Sequence, residues 1–240
     1  MFQEYDTYTA DDHATWERLY SQQFDALRER GHPSHGAGLE AFGISERIPD
    51  LTRLNERLRA SVGWTVEPVA GQVPGEVFSG LLRSRRLPTT VHIRSRTDLK
   101  HSKVPDMFHD IFGHAPLLSI AAYREFLERF GEISGGLLHD RAASARLGNG
   151  FKWTIEYGLI SEDGVRAYGA GLMSSAGELD HALDAGVPKP PFDPRAAVGT
   201  PHTPAAYQRQ YFVIGGFAEL GEHLEHMARH AQVPAKGGRR

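Results

Sequence analysis

The sequence predicts a mostly α-helical chain of the α+β class, with a few short strands in a single domain. Three observations carry this. Apolar residues recur at helical spacing through several long runs, and some of these runs open at a capping residue. Alternating, β-type runs are few and short. The 240 residues hold no internal repeat and no linker long enough to divide them, so 1–240 reads as one domain.

Residues 9–30 read as the first helix. Thr9 stands three before Asp12 at capping-box spacing, and Trp16, Leu19, Tyr20, Phe24 and Leu27 follow at helical intervals. GHPSHGAG (31–38) breaks it. Two short helical segments flank Pro49, the second capped by Asp50 with Leu51, Leu54 and Leu58 on one side. Residues 65–78 hold two prolines and two glycines and read as loop; VFSGLLRSR reads as a short helix. TTVHIR (89–94) alternates and is the best strand candidate. Pro105 suits the first position of a new helix. AAYREFLERFG (121–131) is amphipathic, and one further helix is expected over about 142–160. SEDG (161–164) is a turn between short extended pieces. MSSAGELDHALD reads as helix, GVPKPPFDPRAAVGTPHTP as a Pro-rich loop, and GGFAELGEHLEHMARHA belongs to the closing segment.

Bulk properties exclude several functions. A net charge of −3 leaves no electrostatic footprint for nucleic acid or an anionic membrane, so neither is expected as a partner. RSRRL (83–87) and the terminal GGRR are short basic runs expected to be solvated. With no cysteine, disulfides, thiolate metal sites and cysteine nucleophiles are excluded. Any metal must be held by His, Asp or Glu. The acidic start is unlike a signal peptide, and no apolar run approaches a membrane span. The expectation is a cytoplasmic protein.

The chemistry concentrates in VPDMFHDIFGHAPLL (104–118). His109 and His114 stand in an apolar run, where an imidazole without a partner is costly. In an ideal α-helix, residues five apart differ by about 140° in direction, which is poor for clamping one ion. Gly113 lets the helix loosen or end, so that His114 can swing toward His109. The competing reading is two core histidines bonded to carbonyls. A third group is Glu156, the one acid in FKWTIEYGLI. Two imidazoles and a carboxylate on a divalent ion form the facial triad of non-haem Fe(II) oxygenases. Glu156 could instead form an i, i+4 pair with Lys152. His223, His226 and His230 share one face of the last helix, but a plain polar face suits them better. A hydrolytic zinc site is disfavoured because the HExxH order is absent.

PDMFHDIFGHAPLL resembles the iron-binding segment of the pterin-dependent aromatic amino acid hydroxylases. YTADDHATWERLY, RIPDLTRLNERL, RSRRLPTTVHIR, FKWTIEYGL, AYGAGLMSSAGEL and YQRQYFVI resemble further blocks of the bacterial catalytic domain, in order, over about 8–215. The resemblance implies the aromatic amino acid hydroxylase fold and a monooxygenase using Fe(II), a tetrahydropterin and O2 to hydroxylate the ring of a free aromatic amino acid, first of all L-phenylalanine to tyrosine. It implies His109, His114 and Glu156 as iron ligands. Arg94 would grip the substrate carboxylate with its guanidinium fork. Gly171, Ser174 and Glu178 would line or support the amino acid pocket. Phe78 would stack on the pterin, with Gly71, Val73, Asp110 and Phe151 near it.

This chain departs from the family pattern at Lys152, where tryptophan is usual, at Phe151 for tyrosine and at Tyr157 for phenylalanine. Val104 and Ala176 also depart. Lys152 and Tyr157 alter the substrate wall, so meta-hydroxylation of phenylalanine or a tryptophan substrate stays open. Lys152 could snorkel outward, with Trp153 taking the packing role. Neither a regulatory nor a tetramerisation domain is expected beside the catalytic block, and a monomer is expected. A non-catalytic metal- or ligand-binding protein on the same scaffold is the alternative of another class.

Overall fold

In the computed structural model, residues 2–98, 105–203 and 206–233 are described; Val104 and the GGRR end lie outside them. The first helix, α1 (Ala10–Arg30), forms because Thr9 and Asp12 cap it reciprocally. Asp12 N donates to the Thr9 hydroxyl at 3.2 Å, and Thr9 N donates to the Asp12 carboxylate at 2.8 Å. Its buried face carries Trp16, Leu19 and Leu27. The expected break at 31–38 shrinks to two residues. Pro33 takes the first position of α2 (Pro33–Phe42), where its missing N–H is not needed, and the His32 ring accepts from Ser34 N. Asp50 caps α3 (Leu51–Val62) as expected, and Gly63 ends it in the left-handed region.

The stretch expected as loop opens with β1 (Thr65–Val69). It pairs in parallel with β2 (Arg86–Thr90), and α4 (Gly75–Arg83) makes the crossover that parallel pairing requires. The prolines at 68 and 88 obscured both strands, but each strand of a two-stranded sheet is an edge that tolerates them. The strand expected at 89–94 therefore lies earlier and shares only Thr89 and Thr90. Beyond it the backbone is claimed by acids: Thr90 N donates to Asp110 and Arg94 N to Asp106.

Pro105 does not open the next helix. Helical geometry begins at Met107, and Asp106 accepts from His109 N at 3.1 Å. Phe108–His114 is a π-helical turn and Ala115–Ser119 a 3-10 turn. Then come α5 (Ala121–Gly136) and α6 (Arg141–Phe151), the latter capped by Asp140. The helix expected to 160 stops earlier: Lys152–Glu156 is again π-helical, closed where Tyr157 N donates to Lys152 O at 2.9 Å. Short strands β3 (Leu159–Ile160) and β4 (Arg166–Ala167) flank the expected turn. Helices α7 (Ala170–Met173) and α8 (Ala176–Leu183) follow. The Pro-rich loop contains α9 (Pro194–Gly199), started by Asp193 and Pro194. Strand β5 (Val213–Ile214) joins β3 in parallel, giving the order β4-β3-β5, and α10 (Leu220–Gln232) closes the described chain. A single apolar core runs from Trp16 on α1 through Phe108, Phe112 and Trp153 to Leu224 on α10.

Candidate metal centre

The two π-helical turns position the site. A π-helix closes each turn over five residues rather than four. His109 and His114, which an α-helix would splay, therefore fall on one face. Their ring centroids are 5.0 Å apart and the rings nearly perpendicular, at 87°. Gly113 is not a hinge. It is helical, and its missing side chain admits α7: a Cβ there would meet Ala170 O at 2.8 Å. The second π turn brings Glu156 opposite. His109 Nε2 lies 3.4 Å from Glu156 Oε2 and His114 Nε2 3.6 Å from Oε1. One potential ligand atom from each of the three residues lies within 4.8 Å of the others, and no other such group occurs among the described residues. The α10 histidines pair instead with acids of their own region: His223 with Glu219, His226 with Glu222.

The far sides of both rings are held. The Ser174 hydroxyl donates to Ala170 O at 2.8 Å, so its oxygen receives the His109 Nδ1 proton at 2.9 Å. That tautomer directs the Nε2 lone pair toward Glu156. His114 Nδ1 meets the Tyr123 hydroxyl at 3.1 Å. Burial drives the His109 imidazole down to about 4, against the attraction of the Glu156 charge. Burial would raise the Glu156 carboxyl, but Lys152, His114 and His109 outweigh it and hold the group well below the usual carboxylate range. Two imidazoles and one ionised carboxylate, nearly dry and with their outer atoms satisfied, are a donor set that suits a divalent first-row metal.

Arg94 is buried beside this centre, and its fork is already engaged. Nε and Nη2 donate to the two oxygens of Asp106 at 2.9 and 2.6 Å, and Nη1 reaches Ser174 O at 3.4 Å. A ligand carboxylate would therefore meet the Nη1–Nη2 edge. Its guanidinium also lies 5.6 Å from the centre of the Phe108 ring. Asp106 is the functional residue that sequence reasoning missed. It binds Arg94 N, the Arg94 side chain and His109 N together. The available signal was an acid three residues before the first histidine, at capping spacing.

The remaining candidates divide. Gly171 packs on the Glu156 carbonyl and the Tyr157 ring, where an added Cβ would stand 3.0 and 3.2 Å from them. Lys152 does not snorkel away: its Nζ donates to Glu156 Oε1 at 3.2 Å. Asp110 is buried and tied to Thr90 through N and Oγ1, at 2.7 and 2.9 Å; burial pushes its carboxyl up to about 7 against those bonds. Glu178 is buried under the Tyr211 hydroxyl and Gln208 N. Phe78 on α4 is half-buried, edge-on to Phe151 at 5.6 Å, and Phe151 directly precedes the Glu156 turn. Gly71, at φ 155°, and Val73 lie in the connection from β1 to α4, the helix that carries Phe78.

The chain also resembles known proteins. Residues 4–236 match the family model of biopterin-dependent aromatic amino acid hydroxylases. A phenylalanine-4-hydroxylase of Chromobacterium violaceum is 37% identical over 223 residues, spanning 91% of this chain and 74% of its own length. One from Ralstonia nicotianae is 39% identical over 224 residues, spanning 92% and 71%. A crystal structure of the C. violaceum enzyme with bound iron(III) and 7,8-dihydrobiopterin superposes with a TM-score of 0.89 at 37% identity, covering 92% of this chain and 82% of that one. The chain belongs to the biopterin-dependent aromatic amino acid hydroxylases.

Proposed function

We propose that this chain hydroxylates the ring of free L-phenylalanine to give tyrosine, with iron held by His109, His114 and Glu156. The observation that carries the reading is the convergence of both Nε2 atoms on one ionised carboxylate, each imidazole already satisfied at Nδ1. The donor set fits a divalent metal, and the half-buried Phe78 offers an aromatic surface for a pterin. Bound iron and tetrahydropterin would supply the activation of O2 and its electrons.

The chain's own residues do the positioning. The Nη1–Nη2 edge of Arg94, held in place by Asp106, receives the substrate carboxylate. Ser174 connects the two functions: its hydroxyl steers His109 and its carbonyl meets Arg94. A shift of about 1 Å in the amino acid anchor would therefore change which ring carbon is presented. Gly171, Tyr157 and Glu178, under Tyr211, form the amino acid side of the pocket; Phe151, Asp110, Gly71 and Val73 support the pterin side. Among the described residues no helix is long and apolar enough to cross a membrane. We place the enzyme in the cytoplasm as a monomer, which light scattering of the purified chain tests.

An aerobic assay with Fe(II) and a tetrahydropterin, offering phenylalanine, tyrosine and tryptophan separately, decides the substrate. Para-tyrosine from phenylalanine is expected. Meta-tyrosine or hydroxytryptophan as the main product would overturn the substrate assignment and point to the wall at Lys152 and Tyr157. Metal binding without any product would favour a binding protein.

A further inference from the structure

Lys152, read so far as part of the substrate wall, also touches Glu156. Lys152 shares a π-helical turn with Glu156, and its Nζ donates to Glu156 Oε1 at 3.2 Å. The carboxylate is almost buried, whereas the lysine side chain is 37% exposed and has room to move. Oε1 is also the oxygen nearest His114 Nε2, so the ammonium occupies the side of the carboxylate that a metal would share.

A second group lies on a loop tied to the residue after Lys152. His202 Nδ1 is buried without a hydrogen-bond partner among the described residues. Its loop is fixed at both ends. Trp153 Nε1, on the residue after Lys152, donates to Thr200 O at 2.7 Å. Thr203 N donates to Gln208 Oε1 at 2.9 Å, and Gln208 Nε2 returns to Thr203 O at 2.8 Å. The charges of Lys152 and Glu156 both act on the His202 ring. A buried nitrogen left unpaired is costly, and a neutral imidazole nitrogen can accept from an ammonium.

We propose that Lys152 is a built-in counter-ion for Glu156: its ammonium holds the carboxylate until a divalent metal takes it, and then turns to Nδ1 of His202. The inference rests on the triad reading. Two cations on one carboxylate repel each other, so the lysine must yield as the metal binds. Lys152 thus lowers metal affinity by competing for the ligand, and His202 offsets part of that loss by receiving the ammonium. Both act as positioning residues.

Co(II) titration, followed by calorimetry, tests this. Lys152→Met should bind Co(II) about fivefold more tightly than the parent, the scale of a partly exposed ion pair. Lys152→Arg should stay near the parent. His202→Phe should weaken binding by about threefold, and the double variant should match Lys152→Met, because His202 matters only while the ammonium is present. Unchanged or weaker binding by Lys152→Met overturns the proposal. Unchanged binding by His202→Phe, or additive effects in the double variant, overturns the receiving role. Glu156→Ala separates the two layers. If it binds Co(II) like the parent, the triad itself fails; if it loses Co(II) while Lys152→Met gains nothing, only the counter-ion inference fails.

Discussion

Asp106 shows how one side chain can serve two functions. It is fully buried, and its two oxygens satisfy Arg94 at N, Nε and Nη2 and the backbone of His109. Burial would raise its carboxyl, but Arg94 outweighs this and keeps it below its ordinary value. Asp106→Ala leaves a buried guanidinium without its counter-charge. It should cost about 3–5 kcal/mol in urea denaturation, and should raise KM for the amino acid because the anchor loses its fixed orientation. A stability loss under about 1 kcal/mol would show that Arg94 is held by other contacts. The residue scale is also where sequence reasoning reached furthest. His109, His114 and Glu156 stand out because polar groups in apolar runs demand partners, and the family resemblance is what names them ligands. Asp106 left only a capping signal before His109, and Tyr123 and His202 were not legible, because their roles depend on contacts made across the fold.

At the scale of elements, helices with chemical punctuation were readable: Thr9 with Asp12, and Asp50, mark starts that the structure reproduces. The parallel pair β1–β2 was not, because Pro68 and its neighbours read as loop and Pro88 stood just before the strand expected at 89–94. Nor were the two π turns. Their i to i+5 closure has no residue signature in the run, and the spacing of five between the histidines acquires its meaning only once that geometry is known. The turn after His114 is set by α2. Gly38 lies so close to Pro116 that a Cβ would stand 2.0 Å from its carbonyl oxygen, whereas Gly36 on the same helix faces open space. Gly38→Ala should lower stability by about 1–3 kcal/mol and weaken metal binding by displacing His114. Gly36→Ala should instead stabilise by about 0.5–1 kcal/mol through helix propensity. Equal effects in thermal melts of the two variants would contradict the close-approach argument.

For the whole molecule, stability and site share one core, and pH reports on it. His35 on α2 is buried, with its Nε2 donating to Phe112 O at 2.7 Å inside the π turn. Burial lowers its imidazole from 6.5 to about 4, against that hydrogen bond. The fold thus favours the neutral ring. Stability from this group is complete above about 6.5 and is lost as pH falls toward 4, at ~1.4 kcal/mol per pH unit for one proton. His35→Gln keeps a donor and should reduce the slope of stability against pH in that window by one proton; an unchanged slope would assign the effect elsewhere. The central claim is that His109, His114 and Glu156 together hold the metal on which turnover depends. Its most direct measurement is an anaerobic Fe(II) titration of the parent and Glu156→Ala, followed by admission of O2, tetrahydropterin and phenylalanine. The parent should bind one Fe(II) per chain and form tyrosine, while Glu156→Ala keeps its helical signal but loses tight binding and product. A Glu156→Ala protein that binds iron and forms tyrosine like the parent would contradict the assignment.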